Sequence, residues 1–141
     1  MPMNRLRNGY REFRNGDFVK EHELWSELAE GQRPDTLVIA CADSRSDPAM
    51  IFNARPGELF VVRNVANLVP PYEPDGTRHG VSAAIEFAVK GLGVSNILVL
   101  GHRSCGGVNA CAHGGAKDME FVDPWLDTLR PAIAKANARA D

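Results

Sequence analysis

No stretch of this 141-residue chain approaches the roughly 18 consecutive apolar residues of a membrane-spanning helix, and the opening MPMNRLRNGYREF is too charged for a secretory leader. No membrane partner is expected, and the expected location is the cytoplasm. An excess of charge of one sign is lacking too. Sixteen Lys and Arg stand against 18 Asp and Glu, a formal net charge of −2, which argues against a general basic surface for nucleic acid and leaves a small molecule as the expected partner. Cysteine is scarce. Three cysteines, an odd count without a leader, favour thiols or metal ligands over a disulfide framework. Internal repeats, low-complexity tracts and linkers are missing, so the length suggests one domain, with 1–33 as an N-terminal helical arm and 34–141 as its core.

From Asn4 to Glu30, spaced apolar residues (Leu6, Tyr10, Phe13, Phe18, Leu24, Trp25, Leu28) stand among many charges. That spacing predicts two amphipathic helices, broken near Asn15 and Gly16. DTLVIAC, ELFVVRNVAN and SNILVLGH are continuous apolar runs and predict three strands buried on both faces. Between the last two, VPPYEPDGTRHG reads as a loop and VSAAIEFAVKGLG as a helix ending near Gly91. Strand, helix, strand in this order implies parallel pairing, and the class is α/β with a mainly parallel central sheet flanked by helices. The tail LRPAIAKANARAD reads as a further amphipathic helix.

In such sheets ligands gather at the carboxyl ends of the strands. Cys41 ends the first strand, and GHRSCGGVNAC follows the third, so His102 and Cys105 come to the same rim. Two cysteines and one histidine form a zinc ligand set that leaves a fourth, tetrahedral position open. Gly106 and Gly107 would let the backbone approach the ion, and the amides freed at this turn suit an anionic ligand. Taken singly, each piece has a plainer explanation: His102 as a hydrogen-bonded histidine, Cys105 as a small hydrophobe, CGG as a turn. CADSRSDP alone would pass for a core cysteine followed by a helix cap. Their convergence is what favours a metal. Cys111 lies further along the helix and reads as a buried helix cysteine; His22 and His79 read as solvated, and His113 as a helix terminus.

CADSR, PGELFVVRNVAN and GHRSCGG, in this order and at comparable spacing, resemble the β-class carbonic anhydrases, in particular their plant-like branch. The resemblance runs from the N-terminal helices to about FVDPWL. It implies that family's fold, zinc held by Cys41, His102 and Cys105, and an aspartate-arginine pair in Asp43 and Arg45. It further implies reversible hydration of carbon dioxide to bicarbonate and a proton through a zinc-bound hydroxide. While Arg45 grips Asp43, the fourth zinc position is free; if Asp43 turns away, it can itself become a metal ligand. Three substrate-side residues follow from the same resemblance: Gln32 as a donor to substrate or bicarbonate, and Phe60 and Phe87 as pocket aromatics, Phe87 standing where a tyrosine is common. Val38 occupies the place of a tryptophan found in the branch that closes on bicarbonate, which argues against that behaviour. The resemblance also implies a homodimer or higher homo-oligomer; members of the family usually continue past the helix that closes this sequence, and a fragment and a short member both stay open. Three other readings remain open: a zinc-organised binding module with a closed four-ligand site, a thiol redox enzyme, and a hydrolase of carbon disulfide or carbonyl sulfide on the same fold.

Overall fold

The computed structural model describes residues 3–139. The chain forms two compact units, one ending at Gln32 and the other beginning at Arg33. In the first, helices α1 (Met3–Asn15), α2 (Asp17–Lys20) and α3 (His22–Glu30) follow one another. The expected break falls at Gly16, where a Cβ would stand 2.8 Å from the Glu12 carbonyl oxygen and only glycine lets the chain turn. A second break, at Glu21, has no glycine or proline to mark it. Phe13, Phe18 and Trp25 meet with ring centroids 5.5–5.8 Å apart, a small aromatic cluster that ties the three helices together.

The second unit holds a three-stranded parallel sheet: β1 (Thr36–Cys41), β2 (Leu59–Asn64) and β3 (Asn96–Leu100), in the order β2-β1-β3. Parallel neighbours need long crossovers. β1 returns to β2 through a single 3-10 turn at Ser44–Ser46 and the short α4 (Pro48–Ile51); β2 returns to β3 through α5 (Gly80–Glu86), which widens to π pitch over Phe87–Leu92. Beyond β3 lie α6 (Gly106–Ala112), α7 (Val122–Leu126) and α8 (Arg130–Asn137). The register sets Cys41 opposite Asn64, and Ala40 opposite Leu100, so the carboxyl ends of all three strands share one rim.

Three expectations change. Burial on both faces holds for β1, whose Leu37, Val38, Ile39 and Ala40 are at most 1% exposed, but not for β3, where Ile97 is 53% and Val99 50% exposed. β1 has a neighbour on either side, whereas β3 is an edge strand. Next, β2 ends at Asn64 and not Asn67: the Asn64 side chain bonds both the amide and the carbonyl of Leu68 (2.8 and 2.9 Å), and the chain curls through Ala66 and Asn67 at positive φ. Finally, the helix after β2 stops at left-handed Gly93, two residues past Gly91. Two apolar clusters result. Leu37, Ile39 and Ala88 pack with Phe60, Val62, Ile85 and Val94. Cys41, Ala66, Leu68, Cys105, Cys111 and Leu126 pack with residues of α6, α7 and α8, and this second cluster lies against the strand rim.

Candidate metal centre

Cys41 is the last residue of β1, His102 stands two residues past β3, and Cys105 caps the start of α6. Their ligand atoms all lie within 4.8 Å of one another. The two sulfurs are 3.8 Å apart, far beyond a disulfide bond of about 2.05 Å. It is also the edge of a tetrahedron whose centre is about 2.3 Å from each sulfur, the usual zinc–thiolate length. His102 supplies the third corner. Its Nδ1 lies 3.1 Å from the Arg103 carbonyl, which fixes a proton on that nitrogen, and its buried Nε2 has no hydrogen-bond partner. A buried, unpartnered acceptor aimed at two thiols is what a metal would satisfy, and the backbone bond on the other nitrogen is how ligating histidines are oriented. The donor set therefore fits zinc.

Burial opposes a Cys41 thiolate, but the backbone amides of Asp43 and Ala66 and the nearness of the His102 and Cys105 side chains outweigh it, and the thiol falls from 9.0 to about 7. Beside it, Asp43 is gripped by Arg45 in a fork: Nε to Oδ1 at 2.9 Å and Nη2 to Oδ2 at 2.7 Å. The Arg45 amide also donates to Oδ1 at 2.9 Å, so Asp43 is both an ion-pair partner and the cap of the 3-10 turn that follows. The guanidinium bonds first, then the amide bond, hold the Asp43 carboxyl well below the usual carboxylate range. Arg45 also donates to the Ser104 carbonyl at 3.2 Å, tying the pair to the turn between His102 and Cys105. Its neighbour Asp47 caps α4, accepting from the amides of Ala49 and Met50.

Sequence reasoning missed Arg63. From β2 its guanidinium reaches the Cys41 carbonyl (2.9 Å), the Asp43 carbonyl (2.6 Å) and the Asp47 carboxylate (2.9 Å). The signal was there: a charge inside an apolar strand needs partners. Phe60 and Phe87 do pair, with ring centroids 5.8 Å apart, but Phe60 packs in the other cluster and Phe87 is exposed beside it. Phe60 stands opposite Leu37, four positions before the Cys41–Asn64 level, or about 13 Å along the strand. Phe60 therefore does not line this chain's own metal group. Gln32 is exposed and belongs to the first unit. Cys111 is buried, its Sγ 3.7 Å from the Leu126 carbonyl, and is not part of the metal group. His22 is exposed, His79 pairs with Asp75 at 2.7 Å, and His113 ends α6.

The two glycines after Cys105 differ. A Cβ on Gly106 would meet nothing within 4 Å, whereas one on Gly107 would come within 2.9 Å of Ala66 Cβ and Val65 Cγ1. Gly107→Ala should thus overpack the contact between α6 and the 65–67 turn and destabilise by about 1–3 kcal/mol, while Gly106→Ala should leave the thermal midpoint within a degree or two of the unaltered protein, by about the ±0.5 kcal/mol of a neutral surface change. Calorimetry of the two variants checks this, and equal midpoints would refute it.

The family profile described as carbonic anhydrase matches residues 36–141. Two curated proteins of Arabidopsis thaliana are similar: beta carbonic anhydrase 3, 41% identical over 133 residues that cover 91% of this chain and 51% of that protein, and the chloroplastic beta carbonic anhydrase 5, 46% identical over 130 residues that cover 91% and 42%. The chain spans about half the length of the curated relatives it matches. Among solved structures, the β-carbonic anhydrase CcaA aligns with a TM-score of 0.86 at 35% identity, over 94% of this chain and 59% of that one. A tetrameric β-carbonic anhydrase of Sordaria macrospora aligns with a TM-score of 0.78 at 31% identity, over 95% and 66%.

Proposed function

The chain belongs to the carbonic anhydrase family, and on that footing we propose that it catalyses the reversible hydration of carbon dioxide to bicarbonate and a proton, with zinc held by Cys41, His102 and Cys105. The observation that carries this reading is the pairing of a three-ligand group, 3.8 Å between its sulfurs and with an unsatisfied His102 Nε2, with a carboxylate locked by Arg45 next to it. When bound, a zinc ion with an open position brings the pKa of water to about 7, a figure established on carbonic anhydrase itself. The chain's own residues do the rest. Held ionised by the fork of Arg45, Asp43 stays an acceptor at neutral pH and turns the attacking oxygen toward the substrate carbon; its grip also keeps it out of the open position. That favours an open, catalytic site over a closed four-ligand module. Gln32, Phe60 and Phe87 are assigned to substrate binding on the family resemblance, the aromatics facing the site of a second copy, and the Gly106 amide on the turn that frees it.

Stopped-flow measurement of carbon dioxide hydration on the zinc-loaded chain, against the same chain stripped of zinc, tests this. Zinc-dependent turnover is expected; a fully zinc-loaded, folded protein without it would refute the assignment.

The proposed assembly is a homodimer or a higher homo-oligomer, with the helices before Gln32 acting as an arm toward a neighbour. Exposed Ile97 and Val99 on β3, Tyr72 at 91% and Phe121 at 87% exposure give such contacts apolar surface, and a similar solved enzyme is a tetramer. Sedimentation should show a concentration-dependent mass above one chain; a monomer at every concentration with full activity would overturn it. No helix of the described residues is long and apolar enough to cross a membrane. Three free thiols suit a reducing compartment, and the cytoplasm is the proposed location; co-fractionation with an organelle marker would refute it.

A further inference from the structure

Two arginines act on Asp43, and they do different things. Arg45 binds the carboxylate; Arg63 binds the backbone that carries it. Each of the three donor positions of the Arg63 guanidinium meets a different residue of the segment between β1 and α4: Nε the Cys41 carbonyl, Nη2 the Asp43 carbonyl and Nη1 the Asp47 carboxylate. Cys41 and Asp43 bear the two groups whose spacing decides whether the fourth metal position stays open. The Ser46 amide and hydroxyl also donate to the Asp43 carbonyl, each at 3.0 Å, but those bonds are internal to the segment and move with it. Arg63 comes from β2, side by side with β1 in the sheet, and so refers the segment to a rigid element. Its side chain is only 26% exposed, and a planar fork with fixed donor directions sets position in a way that a lysine's single ammonium cannot.

We propose that Arg63 is a positioning residue: by clamping the 41–47 segment at three points, it holds the Asp43 carboxylate on Arg45 and off the metal. This rests on the zinc reading above. With the clamp gone, the carbonyls of Cys41 and Asp43 and the Asp47 carboxylate each lose a charged donor. The segment can then shift as a unit, and the Asp43 carboxylate, an anion beside a divalent cation, gains most by coordinating it.

The test uses the cobalt-substituted protein and azide, a small anion that competes for the fourth position. Arg63→Ala should keep the thiolate-to-cobalt absorption, because Cys41, His102 and Cys105 remain. Its azide affinity should fall by about 10–100-fold, the range for losing a partner behind a metal site. Arg63→Lys, which keeps charge and stem, should fall in the same direction by less, and serves if the alanine variant does not fold. Removing Asp43 is the decisive step. In an Asp43→Ala background the effect of Arg63→Ala on azide should vanish, because no carboxylate is left to compete; such non-additivity marks a pair acting through one group. Equal azide affinity in the Arg63 variants and the unaltered protein, or an equal loss with and without Asp43, would overturn the positioning role and leave the zinc reading standing. Absence of thiolate-to-cobalt absorption from the unaltered protein would overturn both.

Discussion

Cys41→Ser and Cys105→Ser should each purify with far less than one zinc per chain, while Cys111→Ser should hold as much as the unaltered protein. All three cysteines are buried and free, so burial does not separate them; geometry does. The sulfurs of Cys41 and Cys105 lie 3.8 Å apart, with the His102 Nε2 left unpaired beside them, whereas Cys111 faces the Leu126 carbonyl at 3.7 Å within the apolar cluster. Losing a group behind a ligand costs about 10–100-fold in metal affinity, and losing the ligand itself should cost more. Stability should part from zinc content at one position. A serine hydroxyl at Cys111 is buried among Leu126 and its neighbours and should destabilise by about 1–3 kcal/mol without touching zinc. The Cys41 and Cys105 variants should instead behave like the chelated protein, since metal that binds only the native state adds its binding free energy to folding. Zinc content by atomic absorption, read beside calorimetric midpoints, checks both halves. Full zinc in Cys41→Ser would end the proposal.

What could be read from residues alone follows from the range over which each signal acts. Strand β1 was legible because an unbroken TLVIAC run is what a central strand requires. The metal group was legible because a parallel sheet brings the carboxyl ends of β1 and β3 together whatever the loops do. The exposure of Ile97 and Val99 was not, because an apolar run records what a strand can bury and not what covers it. The curl at Ala66 and Asn67 was hidden inside VAN, whose side chains give no hint of a positive φ. Arg63 was passed over as one polar letter in an apolar run; its three partners come from residues 16 to 22 positions away in the chain, a separation no local pattern reports. The plain reading of CADSRSDP as a cap proved half of the answer, since Asp47 caps α4 and Asp43 caps the turn before it.

That double duty of Asp43 sets up the second large effect, in which Arg45→Ala and Asp43→Asn should both abolish most turnover for opposite reasons. Asp43 Oδ1 accepts from the Arg45 amide as well as from its guanidinium, while Oδ2 accepts from the guanidinium alone. Arg45→Ala removes the fork and keeps the amide, so it asks whether the cap by itself can hold the carboxylate away from the metal. The cap is one bond to a neutral donor; the fork is two bonds to a cation, each roughly twice as strong as a neutral one. Once the fork is gone, coordination should win, zinc should stay, and the fourth position should fill with Asp43. Azide should then no longer bind, and carbon dioxide hydration should fall by about 10²-fold or more, as when an oriented charged group is lost from a reacting centre. Asp43→Asn keeps the shape and an oxygen for the cap but removes the charge that orients the attacking oxygen, so turnover should fall by a similar factor, again about 10²-fold, while azide still binds. Zinc-edge absorption distinguishes the two, with a carboxylate at the fourth position in Arg45→Ala only. If Arg45→Ala binds azide and turns over like the unaltered protein, the cap suffices and Arg45 is a surface residue with no part in the reaction.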